Sequence, residues 1–484
     1  MSETTHYEAI VIGAGVIGPC IATAFARQGR KVLLVERDWR EPDRIVGELM
    51  QPSGLRSLKS LGMIQAINNI EAIVETGYTI FYEGQTVDIP YPLKADVEPY
   101  RPVEGLVFDG NDKVLDDSTL KAADFEENER ERGVSFEHGK FITNLRNIAK
   151  AEKNITTLEA TVISVDQDAI GVRGVTVRYA DESTKKFTAD LTVCCDGIFS
   201  KYRKVLGSDN VPTIGSHFIA LKLKNAQLPV KHNGNVILGT NFAPVLVYQI
   251  TPTDTRVLCA VVGSKLPKSS KQYLTDKVLP FLPECVKPSF IEALEEGNIK
   301  THPCQYLVAK RNELPGYLVV GDALNIRHPL TGGGMTVGLN DIVVLAKSLK
   351  QIPSFSDRTA VNETLLDFHN DRKSLSTVVN VLSFALFSLF AADSENLRIL
   401  QRGCFKYFQL GGDAVDVPVG FLSALIPRPF LLTWVFFKVA FYAIYCNFVD
   451  RGLVGFPIAL LQVFSVLYTA VVVFTPFLYN DFLA

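Results

Sequence analysis

At 484 residues the chain exceeds what one compact core usually holds, so two or three structural units are expected. Apolar residues reach 47% and charged residues 21%, more apolar than an ordinary soluble enzyme. A formal net charge of -3 gives no whole-chain mark of a nucleic-acid binder. None of the eight cysteines shows C-x-x-C spacing, which argues against a zinc site or a redox dithiol. Reduced, mostly buried thiols in a cytosol-facing protein fit better, with the adjacent Cys194 and Cys195 packed in a strand. The seven histidines show no metal-ligand spacing, so no metal is expected. Residues 1–7 are a short polar lead with no apolar h-region, so no signal peptide is read there.

The chain begins as strand, tight turn, helix, strand, over residues 8–12, 13–18, 19–28 and 31–35. From about 78 to 130 the pattern loosens into prolines and acidic residues, an excursion into another unit. A helix follows over 141–152 and one strand over 155–165. Residues 172–179 and 186–193 alternate like a hairpin that runs into Cys195-Asp196-Gly197. Residues 211–300 read as β-branched strands of a sheet that covers a substrate, and 317–320 as a buried strand. Beyond Gly338 the chain turns helical.

The last third is the compositional outlier, with uncharged stretches over 374–392 and 452–480. Several such stretches in series point to lipid contact. The 18 residues between Pro457 and Pro476 make a helix of roughly 27 Å against a hydrocarbon core of about 30 Å. Lys438 sits within the preceding apolar run, and prolines at 427, 429, 457 and 476 are expected to break it. A monotopic anchor sunk into one leaflet is therefore favoured over true spans.

Gly13-x-Gly15-x-x-Gly18 follows a strand and opens a helix, the context in which that spacing holds a dinucleotide pyrophosphate. Gly13 permits the turn, Gly15 lets the backbone approach the phosphates, and Gly18 lets helix and strand pack closely. Glu36 ends the second strand, where a carboxylate accepts from ribose and disfavours a 2′-phosphate, leaving FAD or NAD. Two later motifs favour FAD. One is Cys195-Asp196-Gly197-x-x-Ser200-x-x-Arg203. The other, Gly321-Asp322-Ala323 followed by Pro329-Leu-Thr-Gly-Gly-Gly-Met335, resembles the second FAD motif of flavoprotein monooxygenases. There Asp322 can accept from a ribityl hydroxyl. Gly332 to Gly334 free the backbone to approach the isoalloxazine, and the helix that follows can stabilise reduced, anionic flavin through its N-terminus.

The combination Gly47-Glu-Leu-Met-Gln-Pro52, Gly77-Tyr78, Ile89-Pro-Tyr-Pro92 and Gly321 to Met335 resembles the squalene epoxidase (squalene monooxygenase) family. Phe387 to Ala392 and Phe474-Thr-Pro-Phe477 match its fungal members. The resemblance implies an α/β fold: an FAD-binding Rossmann-like (flavoprotein monooxygenase) domain, an interleaved β-rich substrate domain and a C-terminal helical membrane-binding region. The division expected is 1–77, 131–205 and 301–350 for the FAD-binding domain, 78–130 and 206–300 for the substrate domain, and 351–484 for the helical region, membrane-associated over 417–484. FAD contacts implied are Val16, Ile17, Glu36, Arg44, Arg146, Val162, Asp322 and Met335, beside Gly13, Gly15, Gly18 and Gly334. Tyr78 and Gln51 are similar to the family pair that hydrogen-bonds near substrate and flavin, and Asp196 to a residue the family needs.

The implied reaction is epoxidation of squalene by O₂, through a flavin C4a-hydroperoxide, to (3S)-2,3-oxidosqualene in sterol (ergosterol) biosynthesis. A dry apolar cavity would protect the oxidant and receive the hydrocarbon. NADPH supplies electrons, by the same resemblance through NADPH–cytochrome P450 reductase, at the cytosolic face of the endoplasmic reticulum membrane (microsomal), with lipid droplets a second location. The partners are squalene, that reductase and membrane lipid, with no nucleic acid. Two alternatives stay open: another flavoenzyme on the same fold, such as a prenyl reductase or aromatic hydroxylase, and a non-catalytic prenyl-lipid escort.

Overall fold

The computed structural model describes residues 5–107, 113–116, 118–207, 209–239 and 242–483. Residues 1–4 of the polar lead, and 108–112 and 117 of the loosened stretch, lie outside the described residues.

A first sheet is built around a parallel core. Its order is Ile155–Glu159, Val32–Glu36, Thr5–Ile12, Thr184–Cys194, Gly171–Arg178 and Thr161–Asp168. Thr5–Ile12 pairs in parallel with both Val32–Glu36 and Thr184–Cys194. The sheet forks at Thr184–Cys194 because that strand is long. Its first half pairs antiparallel with Gly171–Arg178, and its last three residues pair in parallel with Tyr317–Val319. Buried strands of this kind need both faces covered. Ile17–Arg27 and Gly333–Leu349 bury apolar residues against the sheet in one core cluster, joined by His138–Ala151.

The single strand expected over 155–165 is two strands in different places. Ile155–Glu159 extends the parallel edge beside Val32–Glu36, whereas Thr161–Asp168 turns back to pair antiparallel with Gly171–Arg178. The chain switches at Ala160, whose N–H donates to Glu36 O at 3.0 Å. Neither Gly nor Pro marks that corner.

The second sheet takes strands from two distant stretches. Its order is Lys300–Tyr306, Thr213–Lys224, Asp254–Val262, Val245–Gln249, Asn233–Leu238, Gly77–Tyr82 and Gln85–Pro90. Both faces are buried, and alternation assigns them. Phe218, Ala220, Leu258 and Ala260 face the C-terminal helices, while Ile219, Leu221, Val257 and Cys259 face the helix Lys287–Glu296. The β-rich reading of 211–300 therefore holds to Val262 and resumes at Lys300; between Ser270 and Glu296 several short helical segments cover this second face.

In the last third, Lys373–Ala391 is long and apolar enough to cross a membrane but is 67% buried, packed against Gly333–Leu349, Glu395–Phe408 and Pro429–Leu483. Pro429–Leu483 differs: only 22% of its apolar window is buried. It breaks at Gly452 (φ 60°, ψ −167°) into two arms, 429–451 and 453–483. The breaks expected at Pro457 and Pro476 do not occur. Packing against Glu395–Phe408 and Lys373–Ala391 holds the second arm helical through both. Each arm buries one face, with Ala440, Ala443, Val466, Ala470 and Phe474 inward. The opposite face exposes Phe430, Trp434, Phe441, Tyr445, Leu453, Val454, Leu461, Phe464 and Tyr468.

Candidate active site

Five parallel strands of the first sheet, Ile155–Glu159, Val32–Glu36, Thr5–Ile12, Thr184–Cys194 and Tyr317–Val319, deliver their carboxyl ends to one place, the position where open α/β sheets bind ligands. There a cavity of about 1150 Å³ opens, larger than the roughly 300–1,000 Å³ of most small-molecule sites. Thr5–Ile12 runs directly into Gly13, at φ +97°, where a Cβ would lie 2.8 Å from the Cys195 carbonyl oxygen. A Cβ on Gly18 would lie 1.9 Å from Gly13 O. Neither position tolerates a side chain. Gly15 is different: a Cβ there meets nothing within 4 Å, so the turn is open on the cavity side. Gly13 and Gly18 are thus closed to any side chain and Gly15 is open; Gly13, Gly15, Val16 and Ile17 line the cavity and Gly18 does not.

Glu36 closes the second strand at the same end. Its Oε2 accepts from Ala14 N–H at 2.7 Å, and its Oε1 accepts from Arg37 and Asp38 N–H at 2.9 and 3.1 Å. Arg146, buried on His138–Ala151, donates through Nε to Ala14 O at 2.8 Å and through Nη1 to Arg40 O at 2.9 Å. Its Nη2 lies 3.8 Å from Glu36 Oε2. Arg44 and Val162 line this end too, with Arg44 exposed at the rim.

Asp322, Gly334 and Met335 line the cavity from the second glycine motif, and Asp196 lines it beside Gly13. Asp322 is exposed to the cavity, within a dense surround of protein. Burial pushes its carboxyl up, and Arg327 and Arg203 pull it partly back. Gly332, left-handed at φ +62°, starts the helix Gly333–Leu349. The glycine run does not act as a single approach surface. A Cβ on Gly333 would strike Val379 Cγ1 at 2.4 Å, so this glycine serves packing against Lys373–Ala391; Gly332 and Gly334 line the cavity. Asp196 Oδ1 accepts from Cys194 Sγ–H at 3.0 Å and its Oδ2 from Lys201 N–H at 2.9 Å, so both oxygens hold the local turn.

Tyr78 stands where the large cavity meets a second, apolar one of about 60 Å³. The smaller cavity is walled by Leu330, Leu386, Phe390, Phe408, Val419 and Leu422, among others. Gln51 touches neither cavity but orients Tyr78 from behind. Its fully buried amide donates to Tyr78 Oη at 2.5 Å and Thr331 O at 2.6 Å, and accepts from Tyr91 O–H at 2.9 Å. Burial raises the Tyr78 phenol to about 12, so it stays protonated. His328 braces the same loop: its Nδ1 accepts from Leu330 N–H at 3.1 Å, and its ring stacks on Phe387 at 3.9 Å. Burial holds it neutral, with its pKa lowered to about 3.

Two groups here escaped the sequence. Glu48 and Arg256, 208 positions apart, form a buried bidentate pair at 2.7 and 2.7 Å. Burial pushes the Glu48 carboxyl up while Arg256 pulls it down; with both oxygens fed by one guanidinium the pair is ionised. Glu75 is the other. Its Oε1 accepts from Ser135 Oγ–H at 2.8 Å, its Oε2 has no hydrogen-bond partner, and burial lifts it to about 8. Nothing in local pattern distinguishes either carboxylate from a surface acid.

The cavity suits the FAD expected from the sequence. Helices Ile17–Arg27 and Gly333–Leu349 both direct N-termini without side-chain caps toward it, with Ile17 packed against Gly321 and Gly338 between them. Such free N–H groups favour phosphate at one helix and an electron-rich ring at the other. No group of His, Cys, Asp and Glu suited to a metal occurs among the described residues.

A family model described as squalene epoxidase matches residues 188–461. The squalene monooxygenase of Candida glabrata is 55% identical over 99% of this chain and 98% of its own length. The squalene epoxidase ERG1 of Saccharomyces cerevisiae is 55% identical over 99% and 97%. Among solved structures, pqsL, a probable FAD-dependent monooxygenase from Pseudomonas aeruginosa, shares the fold, with a TM-score of 0.60 and 18% identity over 80% of this chain and 97% of that one.

Proposed function

The chain belongs to the squalene epoxidase family, and on that premise we propose how its residues divide the work of the reaction. The protein is an FAD-dependent monooxygenase that epoxidises squalene with O₂ in sterol biosynthesis. FAD, when bound, supplies O₂ activation and transfer of one oxygen atom to the alkene. The observation that carries the assignment of roles is the single cavity joining the Gly13–Gly18 turn, Asp322 and Tyr78.

Gly15, Val16 and Ile17 with Arg146 and Arg44 hold the pyrophosphate, Glu36 accepts from the adenosine ribose, and Val162 packs beside it. Asp322 accepts from the ribityl chain, and Gly334 and Met335 bring the backbone to the ring's pyrimidine edge. Asp196 shapes the turn beside Gly13, where it would border bound FAD. Tyr78, held by Gln51, separates the ring end from the apolar side and fixes where the alkene stops. It acts as a neutral hydrogen-bond donor, and the walls from Leu330 to Leu422 exclude water. The small apolar cavity does not accept a triterpene as it stands, so Phe390, Phe408 and Leu422 part when squalene occupies it. The chain divides into discontinuous FAD-binding, substrate and helical units, but Lys300–Tyr306, expected in the FAD-binding unit, pairs with Thr213–Lys224 and so belongs to the substrate unit.

The apolar C-terminal helix associates the protein with a membrane. Because each arm hides one face and shows the other, the hairpin lies in one leaflet of the endoplasmic reticulum membrane, cytosolic side, and does not span it. Electrons come from NADPH through NADPH–cytochrome P450 reductase. The test is turnover of purified, FAD-loaded protein with squalene and NADPH, with and without reductase. Epoxide should form with the reductase and only poorly without it. Brisk turnover without reductase would reject that partner.

A further inference from the structure

Behind the glycine turn, reaching the cavity wall only through Arg327, lies a polar network whose other members the chemistry above does not use. Asn325, Arg327, Asp341, Arg372, Asn380 and Asp481 are all buried, and they come from four separated stretches of chain. Arg327 is the hub. Its Nη1 donates to the carbonyls of Gly333 and Gly334 at 3.4 and 3.2 Å, its Nη2 to Asn325 O and Oδ1 at 3.0 and 2.9 Å, and its Nε to Asn380 Oδ1 at 2.7 Å. Asn380 Nδ2 donates onward to Asn325 Oδ1 at 3.0 Å and Asp481 Oδ1 at 3.1 Å. Arg372 closes the far side by a bidentate bond to Asp341 at 3.0 and 2.8 Å.

Asp481 is in the last turn of Pro429–Leu483, the apolar helix that faces lipid. Apolar contacts of Val466, Ala470 and Phe474 already dock that helix. Burying two guanidinium groups and two carboxylates for docking alone is a poor route to stability, because their desolvation cancels much of the attraction. What the network adds is direction. It holds the first-turn carbonyls of Gly333–Leu349 and so fixes which way that helix N-terminus points into the cavity.

We infer that Arg327, Asn380 and Asp481 are positioning residues that tie the seating of the lipid-facing hairpin to the geometry of the flavin end of the active site. The inference rests on the FAD reading of the cavity. With Asp481 withdrawn, Asn380 loses an acceptor, Arg327 loses its fixed partner, and the Gly332–Gly334 turn relaxes. Bound flavin is then held less tightly. Its reduced, anionic form loses support from the helix N-terminus, and its potential moves negative.

The experiment uses the full FAD-loaded chain in detergent and reads the FAD dissociation constant, the flavin midpoint potential and the thermal midpoint. Asp481→Ala and Asn380→Ala should each weaken FAD about tenfold and lower the potential, and the double variant should be no worse than the poorer single one. Asn396→Ala is the control. It removes bonds to Ser465 O at 3.2 Å and Thr469 Oγ1 at 3.0 Å elsewhere on the same arm, and should lower the thermal midpoint without moving affinity or potential. If Asp481→Ala does not fold, Asn380→Ala carries the test. Parent affinity and potential in the network variants would overturn the inference, as would equal flavin shifts in Asn396→Ala. A parent protein that takes up no FAD would overturn the FAD reading itself, an outcome distinct from both.

Discussion

Replacing Gln51 by leucine tests the idea that Tyr78 works because it is held. The side chains are close in volume, so the change removes polarity rather than packing. Three buried groups lose their partner: Tyr78 Oη, Tyr91 Oη and Thr331 O. Each orphaned buried group costs about 1–3 kcal/mol. The Tyr78 and Tyr91 rings meet edge to face with centroids 6.0 Å apart, near enough for their hydroxyls to re-pair in part. The net loss should therefore be about 2–4 kcal/mol, read by denaturant titration of the FAD-loaded protein. Because Gln51 does not reach the cavity, flavin content should not change. Epoxide formation should fall about 10- to 100-fold as the alkene loses its stop, and NADPH consumption should continue as hydrogen peroxide release. A variant with parent stability and fully coupled epoxidation would refute the reasoning.

Arg256→Met strands the buried Glu48 carboxylate and should cost about 3–5 kcal/mol, measured the same way, with most of it recovered in the Glu48→Leu/Arg256→Met double variant. Glu75→Gln should flatten a pH dependence. The folded-state carboxyl sits at about 8, above its ordinary 4.5, so the folded protein binds the extra proton and parent stability falls as pH rises between those values. Thermal midpoints from pH 5 to 9, about that window, should show the slope in the parent and not in the variant. Gly333→Ala drives a methyl to 2.4 Å from Val379 Cγ1 and should displace the helix start. The expected loss is about 1–3 kcal/mol together with weaker flavin retention, and Val379→Ala should restore part of both.

Much of the site was legible because it is built from local pattern. The Gly13 turn, the Glu36 strand end and the Gly321 to Met335 run each carry their chemistry within a few residues, and strand ends gather such segments by topology alone. Gln51 and Tyr78 came from family resemblance; their bond crosses 27 positions and no periodicity announces it. The Glu48–Arg256 pair and the Asp481 network were hidden because charges separated by tens to hundreds of positions look like solvated ones until tertiary packing buries them. Reading Gly333 as a ligand-facing glycine failed for a related reason. Its neighbour, Val379, belongs to a helix 46 positions further on. The C-terminal helix broke at Gly452 and not at its prolines, since a left-handed backbone ends a helix outright while packing can carry one past a proline.

A flavin held between Gly15, Glu36 and Asp322 would hand oxygen from O₂ to squalene beside Tyr78. Mass analysis of the product formed from squalene under ¹⁸O₂ by FAD-loaded protein, reductase and NADPH tests it most directly. One ¹⁸O atom per molecule is expected, in an epoxide at the terminal double bond. An unlabelled, saturated or multiply hydroxylated product, or a protein that stays colourless near ~450 nm with FAD, would contradict it.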